Sequence, residues 1–356
     1  MNQLWIEEAF SGELPETFHG GVKWQSPSNI ALVKYWGKKG RQLPQNPSIS
    51  FTLKNCKTET SVFFEKSDRF GLHFRFNGKE NGEFQNKIHD FLNENMACFP
   101  FLKHLDLHIN SHNSFPHSSG IASSASSMSA LVMCLLDIER MAKEAKDIDL
   151  KKASYFSRLA SGSACRSLFP TMALWGETPA FESSSDLYAV ALQDAIAPIF
   201  RDFHDSILIV SDAKKAVSSR AGHALMNGNP YAESRYTVAK NNIKALLEAL
   251  KTSDLETFIR ITESEAMQLH ALMMCSEPSF ILMKPNTLRI INTLLEFRKE
   301  TDIPVCFTLD AGPNVHILYP DQHAEMVERF IMDELEQYCV DGQWIPDQVG
   351  EGASKY

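Results

Sequence analysis

The chain has 356 residues, long for one hydrophobic core and suited to two domains with a site between them. Lys and Arg number 35 against 44 Asp and Glu, a net charge of −9 with no compensating basic block, so nucleic acid and anionic membrane are excluded as general partners. A phosphate-bearing ligand would need a local basic pocket instead.

The opening segment MNQLWIEEAFSGEL carries acids where a secretory leader would carry positive charge, and no apolar run reaches membrane-spanning length, so a cytoplasmic protein is expected. SNIALVKYW, SISFTLK, SVFFEK and GLHFRFNG read as strands, with a turn at Gly78 and a helix from about Gln85 to Asn95. LDLHINS alternates apolar and polar residues. His104 and His108 are four apart, but on a strand that spacing brings no two ligands together, and both are expected in solvent.

Eight serines then surround Gly120, and Met128, Leu131, Val132, Leu135 and Leu136 fall at helical spacing directly after them. A small-residue turn that starts a buried helix presents backbone N–H groups and the positive dipole end, which together make an anion site. DLKKASYFSRLASGSACRSLF reads as a helix interrupted at Gly162, and SILIVSD as a buried strand. The stretch from Glu233 to Cys275 has the length of two or three packed helices. PVCFTLDAGPNVHILYP is strand, turn, strand, and HAEMVERFIMDEL a closing helix. Without regular β-α alternation this is α+β, with a boundary near Ile196 to Asp205 that divides the chain into 1–198 and 199–356. Seven cysteines, scattered singly without C-x-x-C spacing, indicate reduced thiols.

Four segments concentrate polar residues. Lys34 shares a predicted strand face with Leu32 and Trp36, a costly position without an anionic partner. The serine turn lacks both common phosphate-loop patterns. In LASGSACRSLF, Arg166 can form a bidentate fork to a carboxylate or phosphate. In TLDAGPN, Asp310 ends a strand before a glycine turn, where it can cap the turn or serve as a base for a hydroxyl.

Together these stretches resemble the GHMP family of small-molecule kinases and, within it, the diphosphomevalonate decarboxylases. KYWGK, FPHSSGIASSA, SGSACRS and DAGPN occur in the family's order, and the resemblance runs from about Trp24 to Tyr319. SSRAG, with Ser219 and Arg220, is similar to a segment that meets the substrate's diphosphate in bacterial members.

The resemblance implies a two-domain fold, with an N-terminal domain like domain 2 of ribosomal protein S5, a ferredoxin-like C-terminal domain and the site in the cleft between them. It also implies ATP-dependent decarboxylation of 5-diphosphomevalonate to isopentenyl diphosphate, with ATP and magnesium as cofactors. By position, Asp310 would orient or deprotonate the 3-hydroxyl, Arg166 hold the carboxylate, and Lys34 act as their electrostatic neighbour. Ser118, Ser119, Gly120, Ile121 and Ala122, through their backbone, and Ser123 and Ser124 would hold the ATP phosphates and magnesium. Tyr35, Lys38, Ser161, Ser163, Arg166, Ser219 and Arg220 would bind substrate. A homodimer is compatible with the resemblance.

The chain departs from the family pattern at Pro170 and Thr171, where Gly-Gly is usual, and at Phe84, near a position often held by arginine. The alternatives are a kinase that stops after phosphorylation, a decarboxylase of a mevalonate with fewer phosphates, and a nucleotide sensor on the same fold. A serine hydrolase would need a G-x-S-x-G elbow, which the sequence lacks.

Overall fold

Strand alternation and two buried helices build the first half of the chain. The computed structural model describes residues 2–116, 121–213 and 219–356, the side chains of 2, 219 and 220 excepted. Helix α1 (Asn2–Glu7) precedes β1 (His19–Ala31), a short hairpin of β2 (Lys38–Lys39) and β3 (Leu43–Pro44), and the long β4 (Ser48–Lys66). β5 (Gly71–Phe76), β6 (Lys79–Glu80), α2 (Gly82–Asn95) and β7 (Leu105–Asn113) follow. Then come α3 (Ser123–Ala142), α4 (Leu150–Ala160), β8 (Met172–Trp175) and β9 (Ala189–Ala191).

The second half contains β10 (Phe203–Leu208), α5 (Ser219–Ala224), α6 (Ala232–Thr252), α7 (Leu255–Met274) and α8 (Pro285–Thr301). It continues through β11 (Cys306–Thr308), β12 (Val315–Pro320), α9 (Ala324–Phe330), β13 (Trp344–Gln348) and β14 (Ser354–Lys355). Its sheet has the order β11-β12-β10-β13 with every neighbour antiparallel, and helices fill both crossovers. This is the ferredoxin-like β-α-β-β-α-β pattern. The first sheet has the order β14-β1-β4-β7-β5-β6, with β8 pairing the early part of β4 and β9 pairing β8.

Helix α3 is the centre of the first half. Residues from Ala125 to Glu139 are buried on every face of it, which requires cover from all sides. The inner face of the sheet, with Val62, Phe64, Leu107 and Ile109, supplies part of that cover, and α4 also packs on it. Truncating one of these buried leucines to alanine typically costs about 2–5 kcal/mol. The small hydroxyls belong to the same packing. Ser129 shares a 2.5 Å hydrogen bond with Ser26 of β1, Ser126 one of 2.6 Å with Thr58 of β4, and Ser127 donates to the carbonyl of Ser123. Serine at these positions lets the helix approach the strands while its hydroxyl finds a partner.

Several sequence expectations are corrected. Strand β1 ends at Ala31, so Lys34 is not on a strand. Its N–H donates to Glu265 at 2.9 Å and its carbonyl accepts from Asn46 at 3.1 Å, side chains that replace the ladder there. SISFTLK and SVFFEK form one strand, because the buried Asp347 carboxylate accepts the N–H groups of Lys54, Asn55 and Cys56 at 2.7–2.9 Å where the strand bends. Helix α2 starts three residues earlier than predicted, capped by Asn81. Thr171 sits at φ +62°, the left-handed region that explains why glycine is usual there. Strands β13 and β14 have no counterpart in the sequence reading.

Candidate active site

A cleft of about 360 Å³ lies where the two halves meet. Asp310 reaches it from the turn after β11, Lys34 from the bend after β1, and Arg166 from the 3-10 helix Gly162–Arg166 that follows α4. Lys34 is buried, and its Nζ donates to Asp310 Oδ1 at 3.1 Å and to the Ala31 carbonyl at 2.6 Å. Burial pulls its pKa below the ordinary lysine range, and the Asp310 carboxylate opposes that shift. Behind it, Arg235 and Glu265 form a buried ion pair that also touches the Lys34 backbone.

Arg166 is buried and donates to the hydroxyl of Ser48. Burial lowers its pKa as well. Its Nε has no partner among the described residues, and the side chain borders the cleft. A buried guanidinium with an unmet donor is suited to a planar carboxylate. The Tyr35 hydroxyl is likewise buried and unmatched among the described residues, and burial raises its pKa. Its ring packs between Trp175 and His223, over Gly162, where a Cβ would lie 2.9 Å from the hydroxyl.

The start of α3 forms another wall. Ala122 holds the left-handed conformation, φ +38°, ahead of a 20-residue helix, whose first N–H groups lack intrahelical partners. Ser124 Oγ accepts from Lys87 Nζ at 2.8 Å and meets Ser161 Oγ at 3.2 Å, so a cation, two hydroxyls and a helix start share one place. Ser163 borders the cleft, as does Lys38, whose Nζ donates to Gln42. Ile121 turns its side chain into the core, and its carbonyl accepts from the Ser28 hydroxyl at 2.8 Å.

Ser118, Ser119 and Gly120 lie outside the described residues, as do the side chains of Ser219 and Arg220. Of the remaining proposed site residues, all but Ile121 and Ser123 border the cleft. Bordering residues that were missed include the polar Lys87, Asn29 and His223. The ring of His223 packs at a tilt against Tyr35 and Trp36 and accepts the N–H of Gly37 at 3.0 Å. Burial and the Lys38 charge take its pKa down to about 3, which keeps it a neutral acceptor. Only its place after SSRAG could have pointed to it.

Two joined α+β halves with a carboxylate, two buried cations and a small-residue helix start at their junction define the class as a GHMP kinase fold. The model of the diphosphomevalonate decarboxylase-like N-terminal domain matches residues 26–188, and that of the mevalonate 5-diphosphate decarboxylase C-terminal domain matches 206–348. Diphosphomevalonate decarboxylase of Ganoderma lucidum is 32% identical over 335 residues, which cover 88% of this chain and 81% of the relative. The crystal structure of mevalonate diphosphate decarboxylase from Staphylococcus aureus has a TM-score of 0.82 at 27% identity, covering 95% of this chain and 98% of that one. A complex described as holding MVAPP, AMPPCP and magnesium has a TM-score of 0.79 at 28% identity, covering 95% and 99%. The chain belongs to the diphosphomevalonate decarboxylase family.

Proposed function

We propose that the cleft carries out ATP-dependent decarboxylation of mevalonate 5-diphosphate to isopentenyl diphosphate, releasing ADP, phosphate and CO2. The observation that carries this reading is the meeting of Lys34, Asp310 and Arg166 in one cleft beside the start of α3. Bound ATP with magnesium supplies the phosphoryl group that turns the tertiary 3-hydroxyl into a leaving group.

The protein's own residues do the rest. Asp310 orients the 3-hydroxyl and takes its proton, within reach of the Lys34 ammonium. Arg166, whose side chain borders the cleft, holds the substrate carboxylate. As the carboxyl C–C bond breaks, its electron pair forms the alkene while phosphate departs. Positive charge develops at C3, and Asp310 favours it once the proton it took has passed to solvent and its carboxylate is restored. Ser124, with Ser123, Lys87 and the N–H groups at the start of α3, fits a triphosphate and its magnesium, because cation, hydroxyl and dipole converge there. Tyr35, Lys38, Ser161, Ser163, Ser219 and Arg220 bind the rest of the substrate.

The domains are taken as 1–198 and 199–356, a division supported by the four-stranded sheet β11-β12-β10-β13 lying wholly in the second part, with the terminal β14 reaching back to pair β1 of the first sheet. A cytoplasmic location is supported by seven free thiols. No helix among the described residues is long and apolar enough to cross a membrane.

The test is product analysis with magnesium-ATP and mevalonate, its monophosphate and its diphosphate in turn, scoring CO2 and inorganic phosphate separately. Equal release of both from the diphosphate alone is expected. Formation of ADP without CO2 would replace the decarboxylase with a kinase.

A further inference from the structure

The outer face of the first sheet carries polar chemistry that the cleft does not use. Parallel pairing of β5 with β7 places His73 directly beside His108, and their rings stack at 4.5 Å and 11°. Asp106, two residues before His108, faces both. Its Oδ1 lies 3.4 Å from His73 Nε2 and its Oδ2 3.5 Å from His108 Nε2. None of the three borders the catalytic cleft.

We propose that His73, Asp106 and His108 form a binding site for a divalent ion of zinc type. Two imidazole nitrogens with a carboxylate suit zinc and its transition-metal neighbours, whereas magnesium prefers oxygen ligands and water. Ligand atoms about 2.0–2.2 Å from one tetrahedral ion lie roughly 3.3–3.5 Å apart. Each nitrogen has this spacing from one oxygen of the carboxylate, longer than the ~2.7–2.9 Å of a strong charge-assisted hydrogen bond, and turning one of the two exposed, stacked rings about its side-chain bonds would bring both nitrogens onto one ion.

Two further features support it. Asp106 Oδ1 is buried and has no hydrogen-bond partner among the described residues, so an ion would satisfy it. Gly71, the cross-strand neighbour of Asp106, makes room for that carboxylate, since a Cβ there would stand 2.2 Å from Oδ1. Both histidines are more than half exposed, so an ion can enter directly from solvent. Once bound, it ties β5, near the sheet edge, to the more central β7.

The test is calorimetric titration of zinc chloride into the tag-free full chain in excess magnesium, with thermal melts recorded beside it. One zinc per chain is expected, with a rise in Tm. His73→Ala, His108→Ala and Asp106→Asn should each weaken zinc binding by at least about tenfold and abolish the rise, with turnover under magnesium-ATP unchanged. Zinc affinity equal to the parent's in both histidine variants, or no zinc binding by the parent, would overturn the proposal.

Discussion

Lys34 Nζ lies 3.1 Å from Asp310 Oδ1, joining a lysine that is 2% exposed to a carboxylate that is 26% exposed. One partner belongs to the bend after β1 and the other to the turn after β11, so the contact exists only when both halves are folded together. Asp310→Asn keeps the shape but removes the charge that supports the buried ammonium. Turnover should fall by about 3–5 kcal/mol of transition-state stabilisation, with binding of an ATP analogue retained. Steady-state kinetics beside calorimetry checks this, and turnover within about tenfold of the parent would remove Asp310 from the chemistry.

For Arg166, the unmatched Nε sets the expectation. Arg166→Lys should be nearly as damaging to kcat/KM as Arg166→Ala, because an ammonium cannot reproduce a planar fork on a carboxylate. Recovery of most activity in the lysine variant would mean that the residue supplies only field.

The serines of α3 divide into two groups with opposite phenotypes. Ser124→Ala, at the cleft, should lower turnover and leave the urea midpoint where it is. Ser129→Ala, between α3 and β1, should lower stability by about 0.5–1.5 kcal/mol and leave turnover intact. Identical behaviour of the two variants would contradict the division.

Acid should weaken the fold through two histidines. Burial, with the Lys38 charge, takes His223 to about 3, and burial takes His270, which donates to the Asp310 carbonyl, to about 4. Between those values and the ordinary 6.5, the unfolded chain binds protons that the folded chain refuses. The stability is therefore complete above about pH 6.5 and lost as pH falls, at up to about 1.4 kcal/mol per pH unit for each ring. Urea midpoints from about pH 7.5 to 5 should fall less steeply in the His223→Gln, His270→Gln double variant. Parallel slopes would assign the acid loss to other groups.

The parts of the site that were legible in the sequence are those carried by short local stretches. Arg166, Asp310 and the serine turn each stand beside a turn or helix start, and Lys34 stands out as a cation among apolar neighbours although it is expected on a strand, while Ser124 and Ser161 are singled out only by the family resemblance. Lys87 was not legible, since one lysine on an amphipathic helix looks like any solvated lysine until α2 is placed beside α3. Arg235 and Glu265 lie on α6 and α7, and nothing local marks them as the support behind Lys34. The serine run was only half understood. Its pattern pointed to phosphate, but the hydroxyls of Ser126, Ser127 and Ser129 are used in packing and helix contacts, a distinction that depends on which strand lies underneath. The single long β4 was read as two strands because its bend is stabilised by Asp347, almost 300 residues away in the chain.

The pairing of β14 with β1 determines the order in which the molecule can be completed during synthesis. Gln25 and Ser354, 329 residues apart, share a hydrogen bond, and Lys355 supplies a counter-charge to Asp137, which is buried in the middle of α3. Asp347 likewise arrives late to the bend in β4. A nascent chain whose first half has left the ribosome therefore lacks the pairing at Trp24 and Gln25, one of the two basic partners of Asp137 and the acceptor for three N–H groups at the bend. The last contacts of the first sheet and of the bend in β4 thus come from residues translated after the ferredoxin-like half.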